Sequence, residues 1–146
     1  MTSDSGVAGT AVAATAVAAL YAADRAAHSL GIEVLEVAPG HVTLSMSVRA
    51  DMLNGHGTCH GGILFALADT AFAFACNSHG EARVAAGASI EYIAPALAGE
   101  VLLARAAETS RGARHGLYDV VITTRMGEPR AFFRGRCARL RTAPAP

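Results

Sequence analysis

Residues 62–76 read Gly-Ile-Leu-Phe-Ala-Leu-Ala-Asp-Thr-Ala-Phe-Ala-Phe-Ala-Cys, and among them only Asp69 and Thr70 are polar. Alanine, leucine and phenylalanine at this density favour a helix, and the stretch is too long for one buried strand. A helix that is apolar on every side has no face to give to water, so the rest of the chain must surround it. That requirement limits the folds open to this sequence more than any other feature.

The remaining segments supply the wrapping. Four strands are expected after the helix, at about 83–93, 100–109, 116–125 and 130–141, separated by turn signals at Pro95 to Gly99, Arg111-Gly112 and Gly127-Glu128-Pro129. Two more precede it, 32–38 and 41–49, joined by Pro39-Gly40, a pair suited to a type II turn. In the second of these Val42, Leu44, Met46 and Val48 alternate with Thr43, Ser45, Ser47 and Arg49, the period of a sheet with one covered face. Short connections imply that consecutive strands are antiparallel neighbours. Residues 7–30 are alanine-rich and end at Gly31, with His28 in the last turn, which predicts one further helix packed on the outside. The expected class is α+β: a six-stranded antiparallel sheet curled around a buried central helix, with an extra N-terminal helix. A chain of 146 residues makes one domain of this kind, 1–146, with 1–6 and 142–146 expected to be loose.

Composition narrows the class of function. With 52% apolar and 16% charged residues the chain is globular. Twelve arginines, no lysine and twelve acids leave no net charge, which argues against a nucleic-acid partner. The balance is not uniform: residues 105–146 hold nine arginines against three acids. Such a basic third either meets an anionic small molecule or is a solvated face. Cys59, Cys76 and Cys137 are odd in number and widely spaced, so no disulfide framework is expected and the compartment is read as cytoplasmic. The apolar run 7–23 invites a signal-peptide reading, but the residues before it carry an acid and no base. Neither this run nor 61–76 is expected to cross a membrane.

Asp69 is the most informative residue. An ionised carboxylate in an apolar helix needs a partner, a proton or a purpose; the bland alternative is a carboxyl satisfied by hydrogen bonds where helices meet. His60-Gly61-Gly62 opens the same helix, where the first N–H groups lack intrahelical partners and the dipole favours negative charge. Glycine there lets a ligand atom approach the backbone, as an oxyanion does in acyl transfer, or merely permits tight packing. Asn54-Gly55 is by itself a turn signal. His56, Cys59, His60, Cys76 and His79 could be taken for zinc ligands, but they belong to opposite ends of a helix about 24 Å long. No metal is therefore expected.

The stretch Met52-Leu-Asn-Gly-His-Gly-Thr-Cys-His-Gly-Gly62, continued by Leu67-Ala-Asp-Thr-Ala-Phe-Ala-Phe-Ala-Cys-Asn-Ser78, resembles the signature of the PaaI-type hotdog-fold acyl-CoA thioesterases of phenylacetate degradation. Phe133-Arg-Gly-Arg136 resembles that family's last strand, and the likeness runs over about residues 20–140. The resemblance implies the hotdog fold, dimers joined into a homotetramer, and hydrolysis of aryl- or arylacetyl-thioesters of coenzyme A with no cofactor. By the same match Asp69 is the catalytic carboxylate, Gly61 supplies the N–H that polarises the carbonyl, and Asn54 and His60 support the reacting groups. Gly62 would lie against the substrate, and Arg111, Arg114, Arg134 and Arg136 are candidates for the coenzyme A phosphates.

Spacing adds a constraint of its own. Gly61 and Asp69 are eight residues apart, about 12 Å along a helix axis, whereas both must reach one thioester carbonyl. Two antiparallel helices related by a two-fold axis satisfy this if each subunit lends its Gly61 to the other's Asp69, so the expected active unit is a homodimer. Hotdog folds also host hydratases, which often carry a histidine five residues after the aspartate; here that residue is Phe74. A non-catalytic acyl-CoA-binding protein is the other alternative, and it leaves Asp69 without a task.

Overall fold

The computed structural model describes residues 3–141. In chain order the elements are α1 (Ser3–Ala23), α2 (Arg25–Ser29), β1 (Glu33–Ala38), β2 (His41–Ser47), a 3-10 turn (Ala50–Met52), α3 (Gly61–Asn77), β3 (Arg83–Tyr92), β4 (Val101–Arg111), β5 (His115–Thr124) and β6 (Pro129–Arg139). The six strands form one antiparallel sheet in the order β1-β2-β4-β5-β6-β3. It curls about α3, which touches β2, β3, β4, β5 and β6. The class is α+β, as the apolar helix requires.

The core is the meeting of one helix with the inner face of the sheet. Leu64, Leu67, Ala68, Ala71, Phe72, Phe74, Ala75 and Cys76 of α3 are buried. Facing them are alternate residues of β2, β4, β5 and β6: Val42, Leu44 and Met46; Leu102, Ala104 and Ala106; Tyr118, Val120 and Ile122; Ala131, Phe133 and Cys137. Gly135 completes the β6 row because the Phe72 ring lies where its side chain would be, 2.8 Å from an ideal Cβ. The glycine of the Phe-Arg-Gly-Arg stretch is thus a packing requirement.

Four expectations need correction. The single helix expected over 7–30 is two, since Asp24 leaves helical geometry and its carboxylate accepts from the Ala27 N–H at 2.9 Å, starting α2 afresh. Of the end 1–6 expected to be loose, residues 3–6 are the first turn of α1, while 1–2 and 142–146 lie outside the described residues. With that extra turn, 4–23 is a helix long and apolar enough to cross a membrane, with a mean hydropathy of 1.6, against the expectation from 7–23 alone. It lies on α3 and β1, with Ala13 and Val17 buried and the Tyr21 hydroxyl donating to the Ile32 carbonyl at 2.7 Å. Finally, β3 and β4 are consecutive yet not neighbours: β4 pairs with β2, and β3 closes the sheet on β6.

The reason for the last correction lies in the 93–100 link, whose backbone bonds go elsewhere than to a hairpin. Cys59 N–H donates to Ala96 at 2.8 Å, Gly99 N–H to Val48 at 2.9 Å, and Ile93 N–H to Arg130 at 2.9 Å. The link therefore passes beside the 50–60 loop and carries the end of β3 to the start of α3. Helix α3 is also less enclosed than its composition predicts. Ala66, Asp69, Thr70, Ala73 and Asn77, a stripe at helical spacing, are only partly covered.

Candidate active site

The loop before α3 is a closed ring. Leu53 bridges to Cys59, His60 N–H donates to the Met52 carbonyl at 2.8 Å, and Asn54 sits inside. The Asn54 side-chain oxygen accepts from the His56 N–H at 3.0 Å and the Thr58 N–H at 3.2 Å, an Asx turn that uses up its acceptor. Its Nδ2 makes no hydrogen bond among the described residues.

At the first turn of α3 the donors divide unequally. His60 is the N-cap, and its Nδ1 accepts from the Gly62 N–H at 2.9 Å. The Gly62 N–H is therefore spent, and as a donor Gly62 has nothing left for a substrate. The Gly61 N–H donates to no acceptor among the described residues. It lies beside a cavity of about 370 Å³ lined by Asn54, Leu64, Tyr92, Ile93, Pro95 and Ala96, among others. An unspent N–H at a helix start beside an apolar cavity is suited to a developing oxyanion. Gly61 and Asn54 thus line one cavity, and the His60 ring takes up the neighbouring donor.

Asp69 stands two turns further along α3, half-buried, with no hydrogen bond or ion pair among the described residues. Within one chain it lacks the hydrogen-bonded helix contact that the bland alternative requires. Burial raises its pKa above the ordinary carboxylate value, and the Asp24 carboxylate adds to the shift. Such a group on a partly covered helix face has the character of a catalytic acid–base or nucleophile. Within one chain the Gly61 N–H lies about 12 Å from it along the helix axis.

The other predicted residues are dispersed. Arg134 forms a fork on Asp119, at 2.6 and 2.9 Å, and Arg111 pairs with Glu81 at 3.3 Å. Arg136 donates to the Ala86 carbonyl at 3.3 Å. The Arg114 side chain makes no hydrogen bond or ion pair among the described residues, and it lines a groove of about 830 Å³ with Glu81, His115, Arg139 and Arg141. At the far end of α3, His79 is bonded to Glu108 at 2.6 Å, so it belongs to a network with Tyr118 and not with His60 and Cys59. Burial opposes charge on Glu108, but the bonds from His79 and Tyr118 prevail and hold its pKa below the usual range.

Residues 56–129 match the model of the thioesterase superfamily. The chain belongs to that superfamily. It is 44% identical over 122 residues to the acyl-coenzyme A thioesterase PaaI of Escherichia coli K12, which spans 84% of this chain and 87% of that one. The solved structure of the E. coli PaaI protein superposes with a TM-score of 0.89 at 42% identity, covering 90% of this chain and 96% of that chain. A variant of PaaI from Thermus thermophilus gives 0.77 at 42% identity, over 80% and 100% of the two chains. A hypothetical thioesterase of Streptococcus pneumoniae, solved with coenzyme A, gives 0.73 at 26% identity, over 77% and 88%. The fold of this thioester hydrolase is the hotdog fold.

Tyr92 is absent from the residues that the sequence singles out. Its hydroxyl donates to the Gly61 carbonyl at 2.9 Å and its ring lines the same cavity. No local signal marks it. Only the sheet topology, which turns the end of β3 toward α3, brings it to the site.

Proposed function

We propose that this thioesterase hydrolyses aryl- or arylacetyl-coenzyme A thioesters of the phenylacetyl type to free acid and coenzyme A. Asp69 is the nucleophile or general base, and the Gly61 N–H of the partner subunit polarises the thioester carbonyl. The observation that carries the reading is the division of donor and carboxylate on one helix: an unspent N–H beside an apolar cavity at one point, an unpartnered half-buried carboxylate about 12 Å further on. Charge that develops on the carbonyl oxygen is met by the Gly61 N–H. Asp69 either attacks the carbonyl carbon, giving an anhydride that water then opens, or takes a proton from the attacking water. In both cases the carbon–sulfur bond breaks and coenzyme A leaves as its thiol.

Several features support the active dimer and its further assembly into a tetramer. Strand β3 is ten residues long, lies at the sheet edge, and is exposed on both faces from Val84 to Ser89. A long open edge of this kind is a template for pairing with a second copy. The partly covered stripe of α3 around Asp69 is a place for a second helix. For the nucleotide end of the substrate the reading favours Arg114, since Arg111, Arg134 and Arg136 already hold partners. Its groove carries Arg139 and Arg141 as well. Three buried, unpaired cysteines support a reducing, cytoplasmic setting.

The test is release of free thiol from aliphatic, benzoyl and phenylacetyl esters of coenzyme A, each beside a truncated thioester without the nucleotide. The aryl esters should show the highest kcat/KM, and Arg114→Ala should raise KM several-fold for the full esters only. A preference for aliphatic esters overturns the acyl assignment, and absence of thiol release overturns hydrolysis.

A further inference from the structure

Two hydrogen bonds at the start of α3 act on a single peptide unit. The Gly61 carbonyl accepts from the Tyr92 hydroxyl at 2.9 Å, and the Gly62 N–H donates to His60 Nδ1 at 2.9 Å. Carbonyl and N–H belong to the same plane, so that plane is gripped at both polar ends. The grip matters because consecutive glycines rotate more freely than any other pair, and here the first of them carries the donor assigned to the substrate. Once the Gly61–Gly62 plane is fixed, the preceding plane, which carries the Gly61 N–H, is restrained through the shared α-carbon.

The same tyrosine explains why residue 61 has no side chain. An ideal Cβ there would lie 2.9 Å from Tyr92 Cζ, 3.0 Å from its hydroxyl oxygen and 3.2 Å from Cε1. The φ of Gly61 is not in the left-handed region, so a side chain there is opposed by the ring, which would have to move, and not by backbone conformation. Tyr92 itself is 53% exposed, and its backbone is already held by pairing with Ala131 in β6. A half-exposed hydroxyl on a helical carbonyl that the helix ladder can also use adds little to the fold.

We propose that Tyr92 is a positioning residue of the thioesterase reaction: with His60 it clamps the Gly61–Gly62 peptide so that the Gly61 N–H is aimed at the thioester carbonyl, and its ring walls the acyl cavity. The proposal rests on the reading of Gly61 as the carbonyl donor. No substrate contact is assigned to the hydroxyl.

Tyr92→Phe keeps the ring and removes one end of the clamp. It should lower kcat about fivefold, leave KM within about twofold and leave the thermal midpoint unchanged. Gly61→Ala retains the N–H but drives a methyl into the ring, and should lower kcat about tenfold or more. In a Tyr92→Ala background the same Gly61→Ala change should cost no more than about a further twofold, because the methyl then has room. Wild-type kcat in Tyr92→Phe overturns the proposal. So does a lowered thermal midpoint or an unfolded protein, which makes the bond structural, and so does an equal Gly61→Ala penalty in both backgrounds. Failure of the underlying reading looks different. If Gly61→Pro, made in the Tyr92→Ala background, turns over as fast as Tyr92→Ala alone, the Gly61 N–H has no role. If that proline abolishes turnover while Tyr92→Phe is unimpaired, only the clamp is wrong.

Discussion

Asp69 is a residue that costs stability and, in the function proposed above, carries the chemistry. Its pKa is raised by burial first and by Asp24 second, so the ionised form is disfavoured in the folded chain. For a carboxyl whose folded pKa lies above its unfolded one, stability is greatest in acid and is lost as pH rises through the folded value. Asp69→Asn should therefore match the wild-type thermal midpoint in acid and equal or exceed it at neutral pH, while turnover falls by at least about a hundredfold. The wild-type acid limb of kcat/KM should have its midpoint above the ordinary aspartate value of 3.8. A limb at or below that value, or near-normal turnover of the asparagine variant, sinks the assignment. At this scale Asp69 was legible because a charge in an apolar run is conspicuous. The unequal fates of the Gly61 and Gly62 N–H groups were not, because they depend on which way the His60 ring turns. Tyr92 was invisible for a related reason: its role is a contact across 31 residues of sequence.

At the scale of elements, alternation and turn chemistry located all six strands to within a few residues, and the Pro39-Gly40 turn is where it was expected, with Gly40 at a φ of 74°. Periodicity could not show that β3 pairs with the last strand, since a short link normally means a hairpin and here its Ala96 carbonyl is taken by the loop and its Ile93 and Gly99 N–H groups by Arg130 and Val48. Nor could composition show that α3 keeps one stripe open, because alanine is equally at home on a covered or a half-covered face. The sheet-to-helix contact makes a definite prediction. In Gly135→Ala the new methyl meets the Phe72 ring at 2.8 Å with other buried side chains behind it, so the change should destabilise the fold by about 1–3 kcal/mol. Denaturant unfolding measures this, and a loss below about 0.5 kcal/mol would show that Phe72 can shift at little cost.

For the whole molecule the decisive question is whether one site draws on two chains. The uncharged total conceals a basic final third, and the extent of the open β3 edge and α3 stripe emerges only from the folded chain. The shared site can be tested with two inactive proteins, Gly61→Pro and Asp69→Asn, mixed under conditions that exchange subunits. Proline is admissible at the start of α3, and Gly61→Ala serves as the control for displacement of Tyr92. In each mixed dimer one site carries both lesions and the other neither, so activity should return to about a quarter of wild type at equal mixing. Demonstrated exchange without recovery places the whole site within one chain.

The pairing of β3 with β6 alone also sets when the site can exist. Among the described residues no other strand is a neighbour of β3, and β6 is the last to be synthesised, with Tyr92 opposite Ala131. Until that final strand docks, the end of β3 has no fixed place, and the hydroxyl that grips the Gly61 carbonyl is not delivered to it. Assembly of that grip is thus a late, long-range event in folding, with a closure cost that grows with the logarithm of the loop length. A nascent chain emerging from the ribosome would hold its signature loop and central helix well before it could turn over a thioester.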